Sequence, residues 1–448
     1  MGRPSQTDRA GLLRARVRGA FRALRSDSAP ARIAGTADIP GILGELGAAL
    51  LDSSQATSDV QQTLSRLAHQ FGRPDLRFVV LPTLVLVEDP TTDPPHTTFF
   101  PAGEYALRLD QADEVDRIVR RAATENMTPA DVHTALETVR ATPPRFGSIL
   151  TTMGYALLTV GFGLMLNPTV TALPVYVVLG LMVGMIVTIG NRTRTLSLIL
   201  PVATAFAVTL LITLFVRPLV HDDALRLVAP ALVGFLPGLT LTIAAVELTS
   251  GQVMAGASRL VYGIARLGLL AFGVFAGISV AGEPPSVTSA PAQLGAWAPW
   301  VGILLVAVGY YLYSVAPRRS LIWIIYALVI AYVGQLLGNF LLGAELSGLV
   351  GALVVVPAVT FAGRIRAAPS AAVMLTCAYW LLVPGAMGFI GLSEAADGTA
   401  GSGSTILRTL GSLTAIAIGM MLGAGLMRDV GVAARGWRNT LNEDRSTT

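Results

Sequence analysis

Between residues 147 and 428 the chain alternates between long apolar runs and short polar breaks. Each run is about as long as the ~20 residues of helix that cross a ~30 Å hydrocarbon core. No polar face recurs along these runs, which excludes a large soluble core. The pattern therefore predicts a polytopic α-helical membrane protein. Its ten predicted transmembrane helices lie near residues 149–166, 172–190, 195–216, 227–246, 260–281, 296–316, 321–338, 346–363, 371–393 and 406–427.

Arginines in the short loops predict which way each helix points, because cytoplasmic loops are enriched in positive charge. The loops on one side and the C-terminal tail carry most of them, namely Arg192, Arg194, Arg259, Arg266, Arg318, Arg319, Arg364, Arg366, Arg428, Arg435 and Arg438. The opposite loops carry only Arg217, Arg226 and Arg408. This alternation predicts a multi-pass protein of the cell membrane with both termini in the cytoplasm.

The pattern divides the chain into five segments. They are 1–38, a basic tail or interfacial helix; 39–146, a cytoplasmic α+β domain; 147–282 and 296–428, two five-helix repeats; and 429–448, a cytoplasmic tail. Within the first segment, residues 10–25 form either a helix on an anionic leaflet or a disordered basic tail. The second segment is predicted to contain a helical pair at 40–71 broken at 53–58, strands at 77–87 and 97–109, and helices at 111–126 and 129–140.

Composition narrows the classes of function. Charged residues make up 13% of the chain, against about 25% in a soluble domain. The chain has no lysine, so an ATP-binding loop of the G-x-x-x-x-G-K-[ST] type is excluded. Cys377 is the single cysteine and leaves no disulfide within the chain. His69, His96 and His133 lack the spacing of a nucleophilic or metal site, so no enzyme, metal or cofactor is expected, and no aromatic–basic stripe favours nucleic acid.

Two of the apolar runs share a pattern. Segments 231–247 and 378–394 each carry a central Pro-Gly pair and a glutamate ten residues after the proline. They are the fourth predicted helix of each repeat. Each predicted repeat has five helices, and an odd number of crossings ends on the side of the membrane opposite to where it began. The second repeat is therefore expected to be inverted relative to the first, so that these two helices run antiparallel.

A Pro-Gly pair breaks a helix, since proline removes a backbone donor and glycine makes non-helical geometry easy to adopt. Backbone freed in this way must face protein or a watery cavity, and paired breaks in inverted repeats indicate a transporter's central site. The alternative is that both pairs only kink their helices for packing. The candidate substrate-binding residues are Pro237, Gly238, Thr240, Thr242, Pro384, Gly385, Gly388, Asn339 and Tyr379, with Gln335 and Thr376 as further polar candidates.

Ionisable residues in the predicted spans are few, and none lies at mid-depth. This favours a small polar or zwitterionic solute over a metal ion. Glu247 and Glu394 are candidate proton-coupling or gate carboxylates, or else ordinary carboxylates at helix ends. Arg266 is a candidate partner of Glu247, although snorkelling to the membrane surface explains it equally well.

Several stretches resemble the threonine/serine exporter family of actinobacteria. LLDSSQATSDVQQTL (50–64) resembles the family's LL-x-S-G signature, with Ser54 in place of glycine, and EVDRIVRRAATENMTPADV (114–132) resembles its second soluble signature. GLTLTIAAVELTSG (238–251) and LVPG (382–385) resemble its two broken-helix regions, with Glu247 where the family often has aspartate. The resemblance runs from about residue 40 and leaves residues 1–38 outside.

The resemblance implies export of threonine and serine across the inner membrane, driven by the proton motive force. Similar halves that occur as two polypeptides are associated with succinate export, so a C4-dicarboxylate is the alternative substrate. A membrane-anchored sensor or enzyme, active through its soluble domain, is a third hypothesis. The partners expected are a small-molecule substrate, protons and the lipid bilayer, and the sequence leaves assembly into a homo-oligomer open.

Overall fold

The computed structural model describes residues 38–103, 107–125, 127–166, 169–190, 194–216, 220, 224–282, 293–343, 346–365, 367–382, 411–412 and 414–427. Within these ranges the chain builds three hydrophobic cores, one from residues 42–139 and two dominated by the later helices. We call residues 38–142 the N-terminal domain and residues 148–427 the membrane domain. The predicted helix at 10–25 lies outside the described residues.

The N-terminal domain consists of two helices, a three-stranded sheet and two further helices. The elements are α1 (Ile39–Asp52), α2 (Thr57–Gln70), β1 (Arg77–Leu81), β2 (Leu84–Asp89), β3 (His96–Pro101), α3 (Leu109–Thr124) and α4 (Pro129–Ala141). The strands are antiparallel in the order β1-β2-β3. Helix α4 begins where its sequence predicts, because Pro129 suits a first helical position and the Thr128 hydroxyl accepts a hydrogen bond from the Asp131 amide at 3.2 Å.

The prediction of one strand over residues 77–87 was wrong. This segment forms the hairpin of β1 and β2, in which Leu81 pairs with Leu84 across Pro82 and Thr83. Proline fixes φ and has no amide donor, which favours a turn. The strand predicted at 97–109 is also shorter, since β3 ends at Pro101. Apolar residues continue on both sides of the turn, and for that reason the run looked uninterrupted.

The membrane domain is helical throughout its described residues, apart from short connections and an isolated bridge between Thr169 and Gln293. Its helices are α5 (Ser148–Leu166), α6 (Leu173–Gly190), α7 (Arg194–Leu211), α8 (Ala224–Ala231), α9 (Gly238–Thr249), α10 (Val253–Ala281), α11 (Ala298–Tyr313), α12 (Leu321–Leu342), α13 (Ser347–Ala362), α14 (Ala371–Leu382) and α15 (Thr414–Met427). A π-helical turn, Ile212–Val216, continues α7.

Five of these segments are long and apolar enough to cross a membrane by length and composition: α5, α6, Ile199–Val216, α10 and α12. Five further apolar helices of the described chain are shorter: Val233–Thr249, α11, α13, α14 and α15. The chain is therefore a multi-pass membrane protein. The full set of ten spans and its inverted symmetry stay predictions.

Helices α5 and α11 pack closely in an antiparallel arrangement. Gly154 lies against Gly309, and Gly161 lies against Gly302. A Cβ on Gly161 would lie 2.8 Å from the Gly302 carbonyl oxygen, and a Cβ on Gly302 would lie 2.8 Å from the Gly161 carbonyl oxygen. Small residues permit such close approach of membrane helices. The first helix of each predicted repeat therefore lies along the line where the two repeats meet.

Candidate functional site

The fourth predicted helix is broken at its Pro-Gly pair. Helix α8 ends at Ala231, a 3-10 turn covers Val233–Phe235, and α9 starts at Gly238 with Pro237 as its N-cap. The break separates two short helices where the apolar run predicts one span. In this repeat the structure confirms the predicted discontinuity.

The backbone freed by the break is bound by one side chain. The Tyr155 hydroxyl of α5 donates a hydrogen bond to the Ala231 carbonyl at 2.9 Å and accepts one from the Gly234 amide at 3.2 Å. Tyr155 is fully buried. It therefore satisfies a carbonyl and an amide that would otherwise be unpaired in an apolar setting. Sequence reasoning missed it, and its one signal is a tyrosine inside an otherwise apolar run.

We expect Tyr155→Phe to destabilise the protein by about 1–3 kcal/mol, the cost of leaving buried polar groups unsatisfied. The substitution removes one oxygen atom and leaves the ring packing in place. The measurement is the melting temperature of the purified full-length protein in one detergent. Tyr326→Phe is the control, because the Tyr326 hydroxyl is exposed and its hydrogen bond to Ala358 is long, 3.4 Å. Equal melting temperatures for wild type and Tyr155→Phe would contradict this role.

A cavity of about 290 Å³ lies between α9, α14 and the N-terminal domain. Residues of three parts of the chain line it: Leu239, Thr242, Ile243 and Val246 of α9; Ala372, Leu375, Thr376 and Tyr379 of α14; and Ser53, Ser54, Gln55, Ala56, Asp59 and Asp116 of the N-terminal domain, with Met420 of α15. Thr242 is 1% exposed, and its hydroxyl oxygen has no hydrogen-bond partner within the described chain. An unsatisfied buried hydroxyl on a cavity wall is a group available to a polar ligand.

The loop between α1 and α2 forms the wall on the side of the N-terminal domain. Its residues 53–56 lie against the membrane helices that line the cavity. Ser54 has φ +62°, in the left-handed region that glycine adopts most easily. Glycine stands at this position in the LL-x-S-G signature that residues 50–54 resemble, and Ser54 adopts the conformation for which glycine is suited.

Glu247 fastens this loop to the membrane domain. Its carboxylate is fully buried near the end of α9. One oxygen, Oε1, accepts hydrogen bonds from both the amide and the hydroxyl of Thr57, each at 3.0 Å. Thr57 is the first residue of α2, where free amides and the helix dipole favour a negative charge. The contact therefore joins a buried carboxylate of the membrane domain to a helix N-terminus of the N-terminal domain.

The cationic partner of Glu247 is Arg259, and the predicted pairing with Arg266 was wrong. Arg259 Nε lies 3.1 Å from Glu247 Oε2, close enough for an ion pair although not aligned as a hydrogen bond. A short turn at 250–252 joins α9 to α10, which brings Arg259 level with Glu247. Arg266 lies two helical turns, or ~10 Å, further along α10.

The N-terminal domain also binds the second half of the membrane domain. Asp113 of α3 is buried and accepts a hydrogen bond from the Ser370 amide at 2.7 Å, directly before α14. Its other oxygen binds Arg117 at 2.7 Å. One turn along α3, Asp116 lines the cavity, and desolvation by burial raises the pKa of its carboxyl above the usual value. Carboxylates thus fix the N-terminal domain to α9 and to the start of α14.

The structure brings some predicted site residues together and separates others. Thr242 and Tyr379 line the cavity with Thr376, from the fourth helix of each predicted repeat. Pro237, Gly238 and Thr240 form the start of α9, next to it. Gln335 donates a 3.4 Å hydrogen bond to the carbonyl of Leu382, the last residue of α14, whereas Asn339 is exposed and outside the cavity lining. Four predicted residues lie outside the described residues: Pro384, Gly385, Gly388 and Glu394.

Residues 41–281 match the family model described as "Putative threonine/serine exporter". The match covers more than half of the chain. The protein belongs to the threonine/serine exporter family. The matched residues include the N-terminal domain and the helices up to α10, and so contain Thr57, Thr242 and Glu247. No curated protein matches the chain, and no solved structure matches it either.

Membership of the threonine/serine exporter family places the chain among transporters and not in an enzyme family. A small-molecule substrate follows from that membership. Among the residues that the structure describes, no group of histidine, cysteine, aspartate and glutamate side chains could hold a metal ion. The cavity between α9 and α14 is the candidate substrate site.

Proposed function

We propose that the protein is a secondary transporter that exports small amino acids such as threonine and serine across the cell membrane. Transport proceeds by alternating access, driven by the proton gradient, and the N-terminal domain lies in the cytoplasm. The observation that carries the proposal is the cavity at the broken helix α9, with the buried, unpartnered hydroxyl of Thr242 on its wall. Family membership supports the substrate class.

The chemistry of the cavity wall suits an amino acid. The Thr242 hydroxyl and the first turn of α9 offer donors to a carboxylate, since a helix N-terminus has unpaired amides. Asp59 and Asp116 lie on the opposite wall, where carboxylate oxygens can accept hydrogen bonds from an ammonium group, and Asp116 is also paired with Arg120 at 2.7 Å. A volume of about 290 Å³ lies near the lower end of ligand sites, ~300 Å³. These features support a small zwitterion.

The two halves of the membrane domain are the moving parts in this proposal. Two observations support an inverted relationship between them. Gly154 and Gly161 of α5 contact Gly309 and Gly302 of α11 reciprocally, as expected of elements related by a two-fold axis. An inverted repeat would make Gly302 the equivalent of Gly154 and Gly309 the equivalent of Gly161, and in both cases the two residues are 148 positions apart. The two Pro-Gly pairs are 147 positions apart.

Glu247 is the gate carboxylate of this mechanism. Loop 53–56 covers the cavity on the side of the N-terminal domain while Thr57 is bound to Glu247. Release of this contact opens the cavity to that side. A proton on Glu247 would weaken its attraction for both Arg259 and the amide of Thr57, which supplies a route from protonation to opening.

Counterflow in proteoliposomes tests the substrate class. Vesicles loaded with unlabelled threonine are expected to accumulate labelled threonine, and external threonine or serine should compete at concentrations where succinate does not. Uptake that succinate blocks and threonine does not would favour the dicarboxylate alternative. Absence of exchange with either compound, from protein that elutes as a single folded species, would contradict the proposal.

A further inference from the structure

A second cavity, of about 660 Å³, lies where the N-terminal domain meets the ends of the membrane helices. Its lining includes four arginines: Arg117, Arg121, Arg145 and Arg318. Two of them come from α3. Arg145 lies three residues before α5, and Arg318 lies in the connection between α11 and α12. The cavity shares no lining residue with the candidate substrate site.

The two arginines of α3 are neutralised by carboxylates. Arg117 lies 2.7 Å from Asp113 and 3.2 Å from Glu114, and Arg121 lies 3.0 Å from Glu125. Asp110, also on the cavity wall, is paired with Arg108 at 3.1 Å. Three arginines, Arg108, Arg117 and Arg121, thus face four carboxylates, so this part of the wall carries no excess positive charge.

The other two arginines have no carboxylate partner within the described chain. Arg145 donates to the Ala316 carbonyl at 2.9 Å and to the Tyr311 hydroxyl at 3.0 Å, and its guanidinium lies 4.8 Å from the centre of the Phe146 ring. All of these partners are uncharged. Arg318 is exposed and makes no ion pair or hydrogen bond with any described residue. Two unbalanced guanidinium groups thus line one cavity.

The positions of Arg145 and Arg318 place the cavity near the expected bilayer surface. Arg145 lies three residues before α5, and Arg318 three residues before α12, both of which are long enough to cross the membrane. At the second position of each helix, four residues after the arginine, an isoleucine is turned outward: Ile149 is 78% exposed and Ile322 is 67% exposed. A phospholipid fits this arrangement, because its head group can contact an arginine while its acyl chains contact the outward-facing apolar side chains further along the helix.

We propose that this cavity binds the head group of an anionic phospholipid, whose phosphate contacts Arg145 and Arg318 while its acyl chains lie along Ile149 and Ile322. Guanidinium groups bind phosphate oxygens through paired, charge-assisted hydrogen bonds. The bound lipid would fill the joint between α3 of the N-terminal domain and the start of α5 and α12. Lipid binding would therefore strengthen the attachment of the N-terminal domain.

The test measures binding of phosphatidylglycerol to the full-length protein by native mass spectrometry and by thermal shift. The protein is placed in phosphatidylcholine nanodiscs with and without added phosphatidylglycerol. Wild type should retain phosphatidylglycerol in preference to phosphatidylcholine. Arg318→Gln should weaken that retention roughly tenfold, because it removes a charged hydrogen bond. Arg319→Gln should leave retention unchanged, since Arg319 carries the same charge in the same loop and does not line the cavity.

Three outcomes would overturn the proposal. Equal losses for Arg318→Gln and Arg319→Gln would indicate general attraction of anionic lipid to a positive surface. Equal retention of the two lipids by wild type would show that no selective site exists. Stabilisation by inorganic phosphate or glycerol 1-phosphate in phosphatidylcholine nanodiscs, matching that by phosphatidylglycerol, would assign the cavity to a free anion.

Discussion

Thr242→Phe is expected to lower threonine counterflow by roughly 100-fold, because the aromatic ring would occupy the cavity and displace the substrate from its bound geometry. Thr242 lies on the cavity wall, so the larger side chain has space to enter and the fold should persist. The measurement is the initial rate of counterflow in proteoliposomes that contain equal amounts of protein.

The isosteric Thr242→Val separates loss of the hydroxyl from loss of space. It should raise the KM for threonine by about three- to tenfold, the effect of one hydrogen bond, and leave kcat nearly unchanged. Thr249→Phe and Thr249→Val are matched controls, since Thr249 is the exposed last residue of the same helix, lies outside the cavity lining and binds only its own helix through its hydroxyl. Wild-type rates in Thr242→Phe would place the substrate elsewhere.

Glu247→Ala is expected to release the start of α2 from the membrane domain. The substitution removes the acceptor of two hydrogen bonds from Thr57 and leaves the largely buried Arg259 without its ion pair. Hydrogen bonds to a charged group contribute about 1.5–3 kcal/mol each. Amide hydrogen exchange of residues 57–60 should therefore become roughly 100-fold faster, which mass spectrometry of the full-length protein can measure.

Thr57→Val supplies the graded comparison. It removes the hydroxyl donor and keeps the amide donor, so exchange of the same residues should rise only about tenfold. Glu137→Ala is the control for loss of a glutamate, because Glu137 is 67% exposed on α4. Thr134→Val is the control for loss of a threonine hydroxyl, since the Thr134 hydroxyl binds only its own helix, at Ala130. If amide exchange at residues 57–60 is unchanged in both Glu247→Ala and Thr57→Val, Glu247 does not hold the start of α2 to the membrane domain.

Local chemistry explains which elements were predictable. Thr128 and Pro129 specify the start of α4 through residues adjacent in sequence, and Pro237-Gly238 specifies the break before α9 in the same way. Pro82 could have revealed the hairpin of β1 and β2, but the apolar residues on both sides concealed it. These signals act within a few residues, so they are visible in a single chain.

The partners of those elements were not predictable, since they are distant in sequence. Glu247 meets Thr57 across 190 residues, and Asp113 meets Ser370 across 257. Tyr155 binds the freed backbone of the broken helix from 76 residues away. Arg266 was the candidate partner of Glu247, with snorkelling as the alternative; the structure pairs Glu247 with Arg259, because the short turn after α9 determines which residue of α10 lies level with the carboxylate.

The sequence by itself determined that this protein crosses the membrane repeatedly, that one of its helices is broken at Pro237-Gly238, and that its N-terminal domain is α+β. Hydrophobic periodicity, proline and glycine act on the local backbone, so their effects can be predicted from residues that are neighbours in sequence. Only the tertiary structure decided that Thr242, Thr376 and Tyr379 share one cavity and that loop 53–56 covers it. Contacts between distant segments depend on how the helices pack, and that packing depends on many side chains at once.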